Sequence, residues 1–226
     1  MKKILLSFII VCFSFIVKAQ VRQLESLDPR ASFSSSASSI RVVNFYEGTQ
    51  GHPYLFDRWE VGELVLNGVT YKDAAMKYNI LKDELMIMNP ITNDSLIPNR
   101  EKLENFIIYT QNNRKFKKYT LHDKTQFLEV LFEGKVNLLK KWKKTFIQAD
   151  KDVTYNSGKF YNEYDLKTQL FIEKNGKITK IKSKNSLLEV LGSSQSKIKH
   201  YADKQHLDLK DEPDLLEVLK YYESLE

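Results

Sequence analysis

Two short segments constrain this chain more than anything else in it. Glu63-Leu64-Val65-Leu66 runs into Asn67-Gly68 and then into Val69-Thr70-Tyr71. Asn and Gly tolerate positive φ at both centres of a tight two-residue turn, so the β-formers flanking them read as an antiparallel hairpin. Leu170-Phe171-Ile172-Glu173, Asn175-Gly176 and Ile178-Thr179-Lys180-Ile181-Lys182 repeat the pattern. Ile178 and Ile181 are three apart, so alternation there is imperfect, but β-branched residues still favour an extended chain. Hairpins at both ends of the central region commit it to an antiparallel sheet.

Between them, Met76 to Ile80, Glu84 to Met88, Leu103 to Tyr109, Phe116 to Leu121 and Phe127 to Phe132 are further strand candidates, several separated by turn residues such as Asn89-Pro90 and Gln111-Asn112-Asn113. One stretch reads both ways. Leu138, Trp142 and Phe146 form a helical stripe, yet Val136, Leu138 and Trp142 share strand parity. Gly134 fits a turn from Phe132 back to Val136, which favours a strand.

After Lys182 the texture becomes helical. Ser186 to Leu191 ends at Gly192, a C-cap glycine. Ser194 to His206 carries Ile198, Tyr201 and Ala202 at helical spacing, and Asp211-Glu212-Pro213-Asp214 opens a third helix whose apolar face is Leu215, Leu216, Leu219 and Tyr222. The tetrapeptide Leu-Glu-Val-Leu recurs at 128–131, 188–191 and 216–219, once in expected sheet and twice in expected helix, which marks coincidence rather than a repeat. The expected fold class is α+β: an antiparallel β-rich domain over 45–182, with three short helices over 183–226 packed on it.

The N-terminal region reads differently. Lys2-Lys3, an apolar run from Ile4 to Val17 and a small residue at Ala19 form an export signal over 1–19. The apolar run is shorter than the ~20 residues a membrane helix needs, so no transmembrane span is expected once the signal is removed. Residues 20–44, with Ser-rich 31–39 at their centre, bury too little apolar surface to offset ordering entropy and read as a flexible leader. Order is expected to begin near Val42 to Tyr46. The one cysteine, Cys12, lies in the signal, which excludes disulfides and thiol chemistry from the remainder.

Catalytic signatures are scarce. His52, His122, His200 and His206 have no metal-ligand spacing, and no Gly-x-Ser-x-Gly elbow or phosphate-binding glycine loop occurs among the eight glycines. No cofactor, metal or catalytic residue is assigned. Asp57, Glu60, Asp83 and Glu84 are the carboxylates that could pair for acid–base work, against a plainer role as turn acceptors and solvated side chains. Tyr54, Trp59, Tyr78 and Asn79 are candidates for a groove.

Charge is the more suggestive feature. From Arg114 to Lys144 there are ten basic residues against Asp123, Glu129 and Glu133, whereas 203–226 holds eight acids and three lysines. Arg114, Lys115, Lys117, Lys118, Lys140, Lys141, Trp142, Lys143 and Lys144 are therefore the candidate anion- or partner-binding set. The competing reading is a solvated strand face attracted to the acidic tail inside the molecule. An exported protein meets little nucleic acid, so the expected partner is an envelope protein or an anionic glycolipid or polysaccharide.

Pro53-Tyr54-Leu55-Phe56-Asp57-Arg58-Trp59, the Gly62–Tyr71 hairpin, Met76-Lys77-Tyr78-Asn79 and Asp83-Glu84-Leu85 together resemble a family of exported Bacteroidota proteins that share a PYLF..W..G....NG..Y segment followed by YN...DEL. Phe127 to Lys135 and the closing helix with Tyr221-Tyr222 are similar to that family as well. The resemblance implies export, and it carries no activity with it. The acidic helical C-terminus does not look like the β-type sorting domain of that phylum, which favours the periplasm or outer-membrane periphery over an extracellular location. The expected function is a non-enzymatic envelope binding or structural protein, with a periplasmic hydrolase or a lipid or glycolipid carrier as the alternatives.

Overall fold

The computed structural model describes residues 21–23, 37–39, 49–149 and 161–225. The export segment, most of the leader and the expected start of order at 42–46 lie outside the described residues. The strands are β1 Val21–Gln23, β2 Ala37–Ser39, β3 Thr49–Gln50, β4 Glu60–Leu66, β5 Val69–Asn79, β6 Glu84–Met88, β7 Ser95–Pro98, β8 Leu103–Ile108, β9 Arg114–Leu121, β10 Lys124–Phe132, β11 Asn137–Ile147, β12 Asn162–Lys174 and β13 Lys177–Lys180. They form one sheet in the order β13-β12-β11-β10-β9-β8-β4-β5-β6-β7-β2. Each pair along this path is antiparallel. Both Asn-Gly turns close hairpins with positive φ at the two central residues: 52° and 71° at Asn67-Gly68, 52° and 78° at Asn175-Gly176. The stretch that read both ways is strand β11, paired residue for residue with β12 from Asn137 to Ile147. Within the expected leader, β1 pairs parallel to β5 and β2 pairs with β7, so two short pieces of it join the sheet.

The sheet is rolled, and a short connection forces it. β7 lies four strand spacings from β8 in the sheet order, about 19 Å if flat, yet only residues 99–102 join them. The five Cα–Cα steps from Pro98 to Leu103 reach at most about 18 Å, so the stretch from β8 through β4, β5 and β6 to β7 must curl. Phe127 of β10, against Tyr78 and bonded to Asp83, carries the curl on to β10. The inside of the curl is aromatic. Phe106 and Phe116 stack at 4.8 Å, Tyr78 lies 5.1 Å from Phe116, and Phe127 meets Phe106 edge-on at 5.1 Å. Leu64, Met76, Leu85, Ile87 and Ile108 close around them. A packed aromatic interior supplies large burial with defined ring geometry.

The helices are α1 Lys184–Leu191, α2 Gln195–Lys204 and α3 Glu212–Ser224. The expected count of three separate short helices is corrected here. Gly192 takes φ 69° and its N–H bonds Glu189 and Leu188 carbonyls, but no loop follows. The chain passes through one 3-10 turn, Gly192–Ser194, directly into α2. The result is one long helical run with a joint, then a C-terminal helix. Ser183 caps the run through a reciprocal bond with Ser186. Leu187, Leu191, Ile198, Ala202, Leu215, Val218 and Leu219 pack on Leu138 and Ile172 of the sheet, forming a second core. A smaller cluster, Leu121, Leu128, Leu139 and Phe171, lies on the opposite, outer face. No helix among the described residues is long and apolar enough to cross a membrane.

Candidate functional site

Strand parity divides the basic run. In β11 the even residues Leu138 and Trp142 belong to the inner cores, while Leu139 belongs to the outer cluster. Lys140 and Lys144 therefore turn inward with Trp142, whereas Lys141 and Lys143 turn outward. In β9, Phe116 points inward and Tyr119 outward, which places Arg114 and Lys118 inside and Lys115 and Lys117 outside.

The inward set is consumed by the fold. Arg114 donates twice to buried Glu129, at 2.7 and 2.8 Å, and Trp142 Nε1 donates to the same carboxylate at 2.6 Å. The Arg114 guanidinium lies 4.6 Å from the Trp142 ring centre. Lys140 pairs with Glu212 of α3 at 2.6 Å, and its ammonium lies 4.5 Å from the Trp142 ring centre. Lys144 donates to the carbonyls of His52 and Tyr54, each at 2.7 Å. Burial lowers its pKa, with Asp57 opposing the shift. Lys118 donates to the Glu101 carbonyl. These five side chains, with Trp142 counted among them, do not present a joint anion-binding surface.

Of the outward set, Lys115 and Lys117 share Glu133, whose pKa their hydrogen bonds hold below the usual carboxylate value. Among the described residues, Lys141 and Lys143 have no carboxylate within ion-pair distance. Lys143 stands directly opposite Lys167 in the β11–β12 register, and Lys141 is opposite Gln169. Lys124 and Lys180 occupy the same face, Lys180 through its pairing with Phe171. Burial lowers the Lys141 pKa; Asp83 opposes that, and Lys143, Lys124 and Lys180 add to it. Exposed Lys167 pairs with half-buried Asp165 at 2.9 Å. Lys124 falls within the basic run but outside the candidate set drawn from it, and Lys180 lies outside the run altogether, because what gathers them here is register and not proximity in the chain.

This face borders two hollows. One, of about 630 Å³, is lined by Lys167, Thr168, Leu170, Lys180, Lys182 and Lys210 among others, without a carboxylate. Another, of about 620 Å³, lies beside His122, Phe171, Lys177, Lys180, Lys182 and Ser186. Both are rich in lysine amines, which only donate, beside hydroxyls that can donate, a lining suited to anionic oxygen.

The four groove candidates do not assemble into one. Tyr78 is buried in the aromatic core and donates to Asp83 at 2.5 Å. Asn79 is buried, bridges to Tyr54 and accepts from the Lys82 N–H. Tyr54 is buried beneath the Lys77 ammonium, 4.3 Å from the ring centre. Trp59 is half-buried just before β4.

The carboxylates are likewise separated. Asp83, at φ 57°, accepts from Tyr78, Arg100 and the Phe127 N–H and so ties the β5–β6 turn to β10. Glu60 pairs with Arg58, and Lys77 binds Asp57. Phe56, Asp57, Arg58 and Glu60 line a hollow of about 530 Å³ that neither Asp83 nor Glu84 enters. Among the described residues no three His, Cys, Asp or Glu side chains are placed to hold a metal ion. No protein-family model, curated protein or solved structure matches the chain.

Proposed function

We propose that this is an exported, non-enzymatic protein of the cell envelope that binds an anionic partner through the outer face of β10 to β13. One observation carries the reading: Lys143 opposes Lys167 across the β11–β12 ladder, with Lys141, Lys124 and Lys180 on the same face, and among the described residues Asp165 is the one acid in ion-pair contact with them. Like charges directly opposite each other in a sheet are destabilising by a few tenths of a kcal/mol or more. A bound anion converts that repulsion into attraction. Among the described residues no acid of 203–225 pairs with a lysine of this face; Glu212 is engaged with Lys140 on the inner side and Asp203 with Lys184.

Export rests on the charged, apolar and small-residue order of 1–19. It is tested by fractionating cells: processed protein in the envelope or periplasmic fraction supports it, and full-length protein in the cell interior defeats it. Binding is tested by sedimenting the processed protein with vesicles of anionic lipid and of zwitterionic lipid. Retention on the anionic vesicles alone, lost at high salt, is the expected result.

A further inference from the structure

The outer edge of β12 is interrupted. At one end β3 pairs with Asn162 and Glu163, and at the other β13 pairs with Phe171 to Lys174. The Ile181 N–H closes the second end by donating to the Leu170 carbonyl at 2.9 Å. Between them, Asp165 to Gln169 have a β11 neighbour on one side and no strand among the described residues on the other. Because Leu170 faces the open edge, alternation turns the N–H and C=O of Leu166 and Thr168 the same way. The gap is about 17 Å long, enough for a strand of about five residues. The carboxylate-free hollow described above lies on it, with Lys167, Lys180, Lys182 and Lys210 around Thr168 and Gln169.

From this juxtaposition we infer that the gap in the β12 edge receives an extended, acidic peptide segment of a partner protein, which adds to the sheet as a short strand. Main-chain bonds to Leu166 and Thr168 supply the pairing, and the lysines select for carboxylates on the guest. A second copy of this chain suits the gap poorly, because two-fold pairing about Lys167 sets that lysine against itself in a basic surround. The inference deepens the anionic-partner reading and rests on it.

The test uses the processed protein purified from cells and, as probe, a capped peptide of alternating glutamate and valine, about nine residues long so that it overhangs the gap. A lysine–valine peptide and soluble polygalacturonate serve as comparisons. The expected result is binding of the glutamate peptide alone among the peptides, with slowed hydrogen exchange at the Leu166 and Thr168 amides. Thr168→Pro removes an N–H that faces the gap and not β11, so it should weaken peptide binding at least ten-fold while leaving anionic-vesicle retention in place. Should that variant fail to fold, amide protection in the unaltered protein decides alone. Peptide binding without protection at Leu166 and Thr168 overturns the strand, as does equal protection by polygalacturonate. Vesicle retention with no peptide binding defeats this inference only, whereas loss of both defeats the anionic-partner reading too.

Discussion

Arg114 and Glu129 face each other across β9 and β10 with both carboxylate oxygens engaged, at 2.7 and 2.8 Å, and Trp142 of β11 closes the arrangement with its indole N–H. Three strands are pinned at one point inside the roll. Glu129 is 5 % exposed, so a partner removed there leaves a charge in a region that cannot rehydrate it easily.

Arg114→Met should therefore lower unfolding stability by about 3 kcal/mol, in the range for breaking a buried pair, and Glu129→Gln should do so to a smaller extent. The double replacement Arg114→Met with Glu129→Leu should recover much of the loss, since the two apolar groups leave no orphaned charge. Urea denaturation of the three variants checks this. A double variant that loses the sum of the single effects would show that the pair is worth more than its desolvation.

Tyr78 gives a pH dependence of known sign. Burial, and then the neighbouring Asp83 carboxylate, push its phenol well above the usual value of 10.0. The folded state holds that proton more tightly than the unfolded chain does. Its contribution is whole below pH 10 and declines as pH climbs from 10 toward the folded-state value. Stability should thus fall on the alkaline side, and Tyr78→Phe should flatten the fall. At neutral pH the same variant should cost about 1 kcal/mol for the lost bond to Asp83. Chemical denaturation at pH 7 and above pH 10 separates the two effects.

Gly62 tests the packing of the roll. An added Cβ would run into the Ile107 carbonyl of β8 and would also crowd the Met76 thioether. Met76 can shift but a ladder carbonyl cannot, so Gly62→Ala should destabilise by about 2 kcal/mol or more through displaced β4–β8 pairing. Thermal unfolding is a sufficient readout. Gly68→Ala, where a Cβ meets open space but φ is 71°, should cost less, through backbone strain alone.

Local signals in the sequence carry the hairpins at Asn67-Gly68 and Asn175-Gly176, the short β candidates and the helical close, because each depends on residues only a few positions apart. The roll is not local. It follows from residues 99–102 spanning strands that end up four places apart, which no periodicity reports. The charge run misled for a related reason. Read along the chain, Lys140, Lys141, Lys143 and Lys144 are one cluster; folded as a strand, alternate members go to opposite faces. The apolar parity of Leu138 and Trp142 already held that information. What it could not supply was the pairing: Glu129 and Glu133, acids of the run itself, and Glu212 of α3 occupy the inner and flanking cations.

Lys143 faces Lys167 in register, and both lie on the face proposed to meet an anion. Replacing it removes a repulsion from the free protein and an attraction from the complex, so its two effects have opposite sign. Lys143→Gln should raise unfolding stability slightly, by about 0.5 kcal/mol. Lys141→Gln with Lys143→Gln should weaken retention on anionic vesicles by about 30-fold, taking about 1 kcal/mol per lysine near such a surface. Lys115→Gln with Lys117→Gln removes the same formal charge, yet those lysines are committed to Glu133, and retention should drop far less. Equal losses from the two pairs would mean that net charge, and not this face, governs binding.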